Sequence, residues 1–195
     1  PRFYVTKNFN IKKNKIIPLP LKEIISRSFI NKYFNLNDKI IDYFDKKASS
    51  LIDLENLDIL VGWSSFSLNS FLKAKNSKCI KILERGSTHI QYQQDILKEE
   101  YNIHGLRPEI PSDYIVAKEK LEYDLADYIS VPTEFVKKTF INNGIDKSKI
   151  IKIPYGVNLK DFKQSRNKAV INRLDNKTFR IIYVGNSSVR KGIIY

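Results

Sequence analysis

Two short segments carry residue types whose spacing suits chemistry on a phosphorylated substrate. The first is Gly185-Asn186-Ser187-Ser188-Val189-Arg190-Lys191-Gly192, which follows an apolar run over 179–184. A loop of small residues after a strand lets backbone N–H groups approach a phosphate, and a helix N-terminus beyond it adds a favourable dipole. Arg190 and Lys191 would add charge-assisted hydrogen bonds to a diphosphate. The spacing is not that of a P-loop, which places glycine directly before the lysine and a hydroxyl residue after it. Here those positions hold Arg190 and Gly192. A polar turn carrying surface cations is the plainer alternative.

The second segment is Glu84-Arg85-Gly86-Ser87-Thr88-His89, at the end of an expected strand. A histidine that follows a glycine and two hydroxyl residues can reach into a cleft and donate to a sugar hydroxyl or to developing charge. The ordinary alternative is a satisfied loop or core histidine. His104, the other histidine, has no comparable setting and reads as structural. A third segment, Pro154-Tyr155-Gly156-Val157-Asn158 with Phe162 beyond it, reads as a tight turn pinned by packing. Glu119, Glu122, Asp124 and Asp127 invite comparison with paired catalytic acids, but cations surround them in sequence. A solvated helix face accounts for them, so a glycosidase-type pair is rejected. One cysteine and two distant histidines do not make a familiar zinc site.

The elements that must position these segments alternate. Helices are expected over 22–33 and over 38–51, the latter with Ile40, Phe44, Ala48 and Leu51 on one face. An apolar run at Ile59-Leu60-Val61 is expected to end at Gly62, followed by a helix through Phe66, Leu68, Phe71 and Leu72. A strand over 79–83 comes next. Ser112 or Asp113 should cap a helix whose inner face reads Tyr114, Ala117, Leu121, Leu125 and Tyr128, with Lys118, Glu119, Lys120, Glu122 and Asp124 outside. A strand over 128–131 stops at Pro132, and Thr133 caps a helix that ends at Asn143-Gly144. A last strand spans 150–153. Short apolar strands separated by helices argue a Rossmann-like α/β fold, a parallel sheet with helices on both faces. Ligands of such sheets bind beyond the strand C-termini, where both candidate loops fall.

Composition bounds the function. With 42% hydrophobic residues, the 195-residue chain is foldable rather than disordered. No apolar run reaches the roughly 18 residues of a membrane span, and no secretory signal opens the sequence. The single cysteine, Cys79, rules out an internal disulfide and fits a reducing cytoplasm. The net charge of +13 comes from lysines scattered along the chain rather than gathered on one helix or stripe. That spread argues against nucleic acid as a partner, while an anionic membrane surface remains open to the excess lysine. Both ends are expected to be cut: the sequence starts at Pro1 without a recognisable first element and stops soon after a new apolar run.

Four stretches together resemble the glycosyltransferase family 4 (glycosyltransferase group 1) enzymes. They are LERGSTH over 83–89, EKLEYDLADYISVPTEF over 119–135, IPYGVNLKDF over 153–162 and IIYVGNSSVRKG over 181–192. Their order and spacing cover about half of the chain. The resemblance implies the GT-B architecture, two Rossmann-like domains facing across a cleft. Residues 1–165 would be the acceptor-binding domain, 166–178 the connection, and 179–195 the first strand and loop of the domain that binds a nucleotide sugar. It also implies that Lys191 and Arg190 meet the donor diphosphate, with Gly185 permitting close approach, and that His89 approaches the transferred sugar. Glu84, Arg85, Gly86, Ser87 and Asn186 would line the cleft. No cofactor and no obligatory metal are expected, the nucleotide sugar being a co-substrate.

The expected activity is therefore retaining transfer of a sugar from a nucleotide-diphosphate donor to a hydroxyl of a glycan, a lipid-linked or a small acceptor, in cell-envelope or polysaccharide synthesis. Asn186 departs from the pattern, since many members have arginine there. The donor-recognition residues would lie beyond Tyr195, so the polypeptide as given is expected to be inactive. A non-enzymatic nucleotide- or polyanion-binding protein and an epimerase on the same scaffold are the alternatives.

Overall fold

The computed structural model describes residues 16–19, 36–159 and 181–195. The helix expected over 22–33, the connection over 166–178 and Phe162 fall outside these residues. Within them, helices and strands alternate: α1 (Asn37–Leu51), β1 (Ile59–Trp63), α2 (Leu68–Lys73), β2 (Ile80–Glu84) and α3 (Ile90–Ile103) come first. They are followed by α4 (Asp113–Leu125), β3 (Tyr128–Val131), α5 (Glu134–Asn142) and β4 (Ile150–Lys152). The strands form one all-parallel sheet in the order β1-β2-β3-β4, flanked by helices, so the chain has the Rossmann-like α/β fold that the alternation predicts. Ile59 lies opposite Ile80 and Trp63 opposite Glu84. Burial follows strand position: Ile129, Ser130 and Val131 of the inner strand β3 are buried, whereas Ile59, Val61 and Trp63 of β1, the edge among the described residues, stay exposed. A strand covered on both faces reads as a continuous apolar run for this reason.

The chain divides into two compact units, Pro1–Glu84 with Ser112–Ile129, and Arg85–Pro111 with Ser130–Tyr195. In the first, Phe71, Leu83, Tyr123 and Ile129 are fully buried. Cys79, one residue before β2, is buried too, and its sulfur accepts a hydrogen bond from Ser77 Oγ at 3.0 Å. The expectation that Gly62 ends the first strand is corrected. Gly62 lies within β1, and a Cβ there would meet Ser67 Oγ at 2.3 Å. Glycine serves the close approach of the following turn, not the end of the strand.

A second correction concerns α4. Ser112 caps it as expected, its Oγ accepting from Ile115 N at 3.2 Å. Its faces depart from the sequence reading, however, although Lys120 and Asp124 lie outside as expected. Tyr114 and Leu121 are about half exposed, while Lys118, Glu119 and Glu122 are buried beside Ile115, Val116 and Tyr123. The apolar stripe that looked inward faces solvent because the charged stripe finds partners inside, as described below.

The second unit buries Ile90, Leu97, Tyr101, Val131, Phe140 and Ile150. Thr133 caps α5, accepting from Val136 N at 3.1 Å, and Gly144 follows its end with φ of 87°. That left-handed conformation favours glycine, as the Asn143-Gly144 pair predicts. The expected further strand is not formed by its described part, Ile181 to Val184, which is exposed and belongs to no sheet. An extended segment without neighbouring strands has no ladder to satisfy its backbone.

Candidate functional site

Two regions gather chemistry-bearing side chains, one in each unit. In the first unit the gathered groups are the charges of α4 and α1. Glu122 accepts from Ser65 N at 2.7 Å and from Ser67 N at 2.8 Å. Glu119 accepts from Ser65 Oγ at 2.5 Å and from the Tyr123 hydroxyl at 2.6 Å. Together they hold Ser65 at φ of 72°, a conformation that costs a non-glycine residue roughly 1 kcal/mol. Lys118 Nζ bridges Asp42 at 2.7 Å and Asp45 at 3.0 Å. Asp45 also accepts from the backbone N–H of Asn69 at 3.0 Å and from its side-chain amide at 3.0 Å. Asp45 and Glu122 thus serve the first N–H groups of α2, which would otherwise be orphaned.

The electrostatics of this region are those of groups satisfying one another. Burial disfavours the Asp42 anion, but hydrogen bonds from Lys118 and Tyr114 prevail and hold its carboxyl below the usual range. Burial likewise opposes the Lys118 ammonium, and its bonds to Asp42 and Asp45 raise it above the ordinary lysine value nonetheless. The hydrogen bond to Asp42, with burial, pushes the Tyr114 hydroxyl up to about 12. Burial pushes the Glu122 carboxyl up to about 7, against the pull of the Ser67 and Ser65 N–H groups. Glu119 and Glu122 are therefore neither solvated, as the sequence suggested, nor directed at an open site: they fix the Ser64–Ser67 turn. Asp124 is exposed, and Asp127 pairs with Lys81 Nζ at 2.8 Å.

In the second unit the loop after β2 is folded around its own arginine. Arg85 Nε donates to the Thr88 carbonyl at 3.1 Å, its Nη2 to Gln93 Oε1 at 2.9 Å, and its backbone N to the Ser130 carbonyl at 2.9 Å. His89 is 2% exposed and is the N-cap of α3, its Nδ1 accepting from Gln91 N at 3.2 Å. Its backbone N donates to Thr139 Oγ1 at 3.0 Å, and its ring meets Phe140 edge-on at 5.2 Å. What this scaffold presents outward is Ser87 and Thr88. They line a cavity of about 370 Å³ whose walls are mainly Tyr92, Ile96, Phe135 and Tyr195, with Arg190 beside them. Tyr92 and Phe135 form an edge-to-face pair at 6.1 Å. Glu100, also on the cavity, accepts from the Tyr195 hydroxyl at 2.5 Å, a bond that raises the tyrosine's pKa.

The Gly185–Gly192 segment forms a turn rather than the start of a long helix. Val189–Lys191 is a single turn of 3-10 helix after Ser188, closed by Gly192 at φ of 69°. One turn carries little of the dipole that a longer helix would offer a phosphate, so positive charge here comes from the side chains. At Gly185 a Cβ would meet the Tyr183 hydroxyl at 2.8 Å, and that hydroxyl donates to the Asn186 carbonyl at 2.7 Å. Arg190 lines the cavity and makes no ion pair among the described residues. Lys191 is exposed and does not line it.

The structure thus brings together Ser87 and Arg190 of the sequence-derived candidates. Gly86 is exposed beside them; Arg85 and His89 are buried as supports of the loop; Gly185 and Asn186 are exposed in the later turn. Glu84 ends β2 in the first unit, its carbonyl accepting from Ser64 N at 3.1 Å. Tyr92, Ile96, Phe135 and Tyr195 were not singled out from sequence. Phe135, two residues after the cap Thr133 and 59% exposed in the structure, reads in the sequence as an ordinary helix member. Among the described residues no group of three or more His, Cys, Asp or Glu could hold a metal ion, and no helix is long and apolar enough to cross a membrane.

Fold and site define a Rossmann-like α/β protein with a cavity of about 370 Å³ lined by the loop after β2. Comparison with protein-family models, with curated proteins and with solved structures finds no match to this chain.

Proposed function

We propose that the protein is a retaining glycosyltransferase that moves a sugar from a nucleotide-diphosphate donor to a hydroxyl acceptor. The observation that carries this reading is the meeting of Ser87 and Arg190 on one cavity, although about a hundred positions separate them. They come from the two loops that the family resemblance assigns to sugar transfer, and neither loop's sequence depends on the other.

In this reading the acceptor hydroxyl attacks the anomeric carbon from the side on which the diphosphate departs. The bond from that carbon to the diphosphate oxygen breaks, the glycosidic bond forms, and the hydroxyl proton goes to the leaving diphosphate. Lys191, exposed at the end of its turn, meets the negative charge that grows on the diphosphate. His89 acts as a positioning residue, holding Ser87 and Thr88 at the cavity through the cap of α3. The donor is a co-substrate, and the acceptor is a glycan, a lipid-linked sugar or a small hydroxyl compound, at or near the cytoplasmic membrane surface.

The test is release of nucleoside diphosphate from a panel of nucleotide sugars by the complete product of the gene. One donor should be turned over, and Lys191→Ala should lower kcat about a hundredfold, the usual effect of removing one preorganised charge-stabilising group. Near-normal turnover in the variant would remove Lys191 from the mechanism. No release from any donor would remove the transferase reading itself.

A further inference from the structure

The cavity's chemistry says more than that something binds there. Its walls are a tyrosine–phenylalanine edge-to-face pair, Ile96 and the ring of Tyr195, while its hydrogen-bonding groups are few. A site for a bare sugar needs hydrogen-bond partners for most of the hydroxyls it desolvates, because each one left unpaired costs about 1–3 kcal/mol. Gln93 Oε1 already accepts from Arg85 and the Tyr195 hydroxyl is bonded to Glu100, so Ser87, Thr88 and the Tyr92 hydroxyl are what the wall offers beside its two charged groups, fewer than that. They suffice for one or two hydroxyls on an otherwise apolar body.

The charges narrow the class further. Among the described residues Arg190 is the only cation on the cavity wall and has no ion-pair partner. Glu100 faces the same space, and its hydrogen bond to Tyr195 keeps it there. A single guanidinium that shares the cavity with one carboxylate accepts at most one anionic group and disfavours a polyanion. At about 370 Å³, the volume falls at the small end of the roughly 300–1,000 Å³ of ligand pockets.

We infer that this cavity is the acceptor site and that its ligand is a small anionic amphiphile: an aromatic or branched apolar body carrying a hydroxyl and one anionic group paired with Arg190. The inference rests on the transferase reading for the word acceptor, but not for the ligand's chemistry. It separates the two neighbouring cations, giving Arg190 to the acceptor and Lys191 to the donor diphosphate.

The probe is 8-anilinonaphthalene-1-sulfonate, an aromatic body with one anionic group, compared by fluorescence titration with its neutral relative N-phenyl-1-naphthylamine. One saturable site per chain is expected for each. Arg190→Gln should weaken the anionic probe about tenfold, the loss of one charge-assisted hydrogen bond, and leave the neutral probe within about twofold. Phe135→Ala should weaken both. Both residues are exposed, so neither substitution empties the core. Binding without saturation, or binding indifferent to both substitutions, overturns the inference, as does equal weakening of both probes by Arg190→Gln. Diphosphate release separates this outcome from the fate of the transferase reading. Turnover without the probe site sinks the inference alone, whereas the probe site without turnover of any donor leaves an anionic-amphiphile site and sinks its role as acceptor.

Discussion

The two units each contain a cation set among aromatic and acidic groups, and the two cations are used in opposite ways. Lys118 is 1% exposed at its side chain and lies between two aspartates, one of them wholly buried. Arg190 is exposed on the wall of a largely apolar cavity with no ion-pair partner among the described residues. A buried charge whose hydrogen-bonding capacity is met inside the protein has little left for a ligand. An exposed guanidinium beside an apolar hollow has its capacity available. Counting charged residues in a sequence does not distinguish the two, and the polar partners of each do.

The largest effect expected from breaking this contrast is at Lys118. Lys118→Met keeps the side chain's bulk but leaves Asp42 and Asp45 without their counter-ion. The loss of stability should be about 3–5 kcal/mol, as for other broken buried pairs. Denaturant unfolding measures it, and a loss below about 1 kcal/mol would mean that the aspartates do not depend on the ammonium.

A smaller effect, about 3 kcal/mol across its whole range, is expected from Glu122. Its folded-state pKa of about 7 lies above the ordinary 4.5, so the folded chain holds a proton that the unfolded chain has released. This contribution to stability is fully present below about pH 4.5, declines by up to about 1.4 kcal/mol per pH unit, and is gone above about pH 7. Asp42 works in the other sense: its lowered pKa adds stability above its ordinary 3.8 that is lost as acid protonates it. Glu122→Gln should flatten the decline between pH 5 and pH 7. An unchanged slope in the variant would assign the titration to another group.

The smallest effect sharpens the contrast from the other side. Arg190→Gln, which removes a cation as Lys118→Met does, should change stability by no more than about 0.5 kcal/mol, as is usual for a surface substitution. A cost comparable to that at Lys118 would show that Arg190 has a structural partner after all.

Much of this fold was legible because its signals are local. The four strands are short apolar runs, and the caps Ser112 and Thr133 and the stop at Gly144 follow from what each side chain can do for the adjacent backbone. The orientation of α4 was not legible. Two stripes of this helix compete for the interior, and the losing one contains Tyr114 and Leu121. What draws Lys118, Glu119 and Glu122 inward are Asp42, Ser65 and Ser67, partners 54 to 76 positions away. No window of sequence holds both halves of such a bond. Ser65 is equally hidden, since its left-handed backbone is imposed by those glutamates and not by a residue type that prefers it. Ser87 and Arg190 were identifiable as polar loop residues. The aromatic walls between them were not, because Tyr92 and Phe135 sit on different helices and read as ordinary members of each.

Cys79 has a practical consequence. As the single thiol of the chain, sealed just ahead of β2, it reacts with an alkylating reagent only when the first unit opens around it. One site gives one exponential, whose rate reads the open population when reclosing outpaces alkylation and the opening rate when alkylation is the faster. Refolding from denaturant is equally simple to follow, since a lone sulfur cannot mispair within its own molecule.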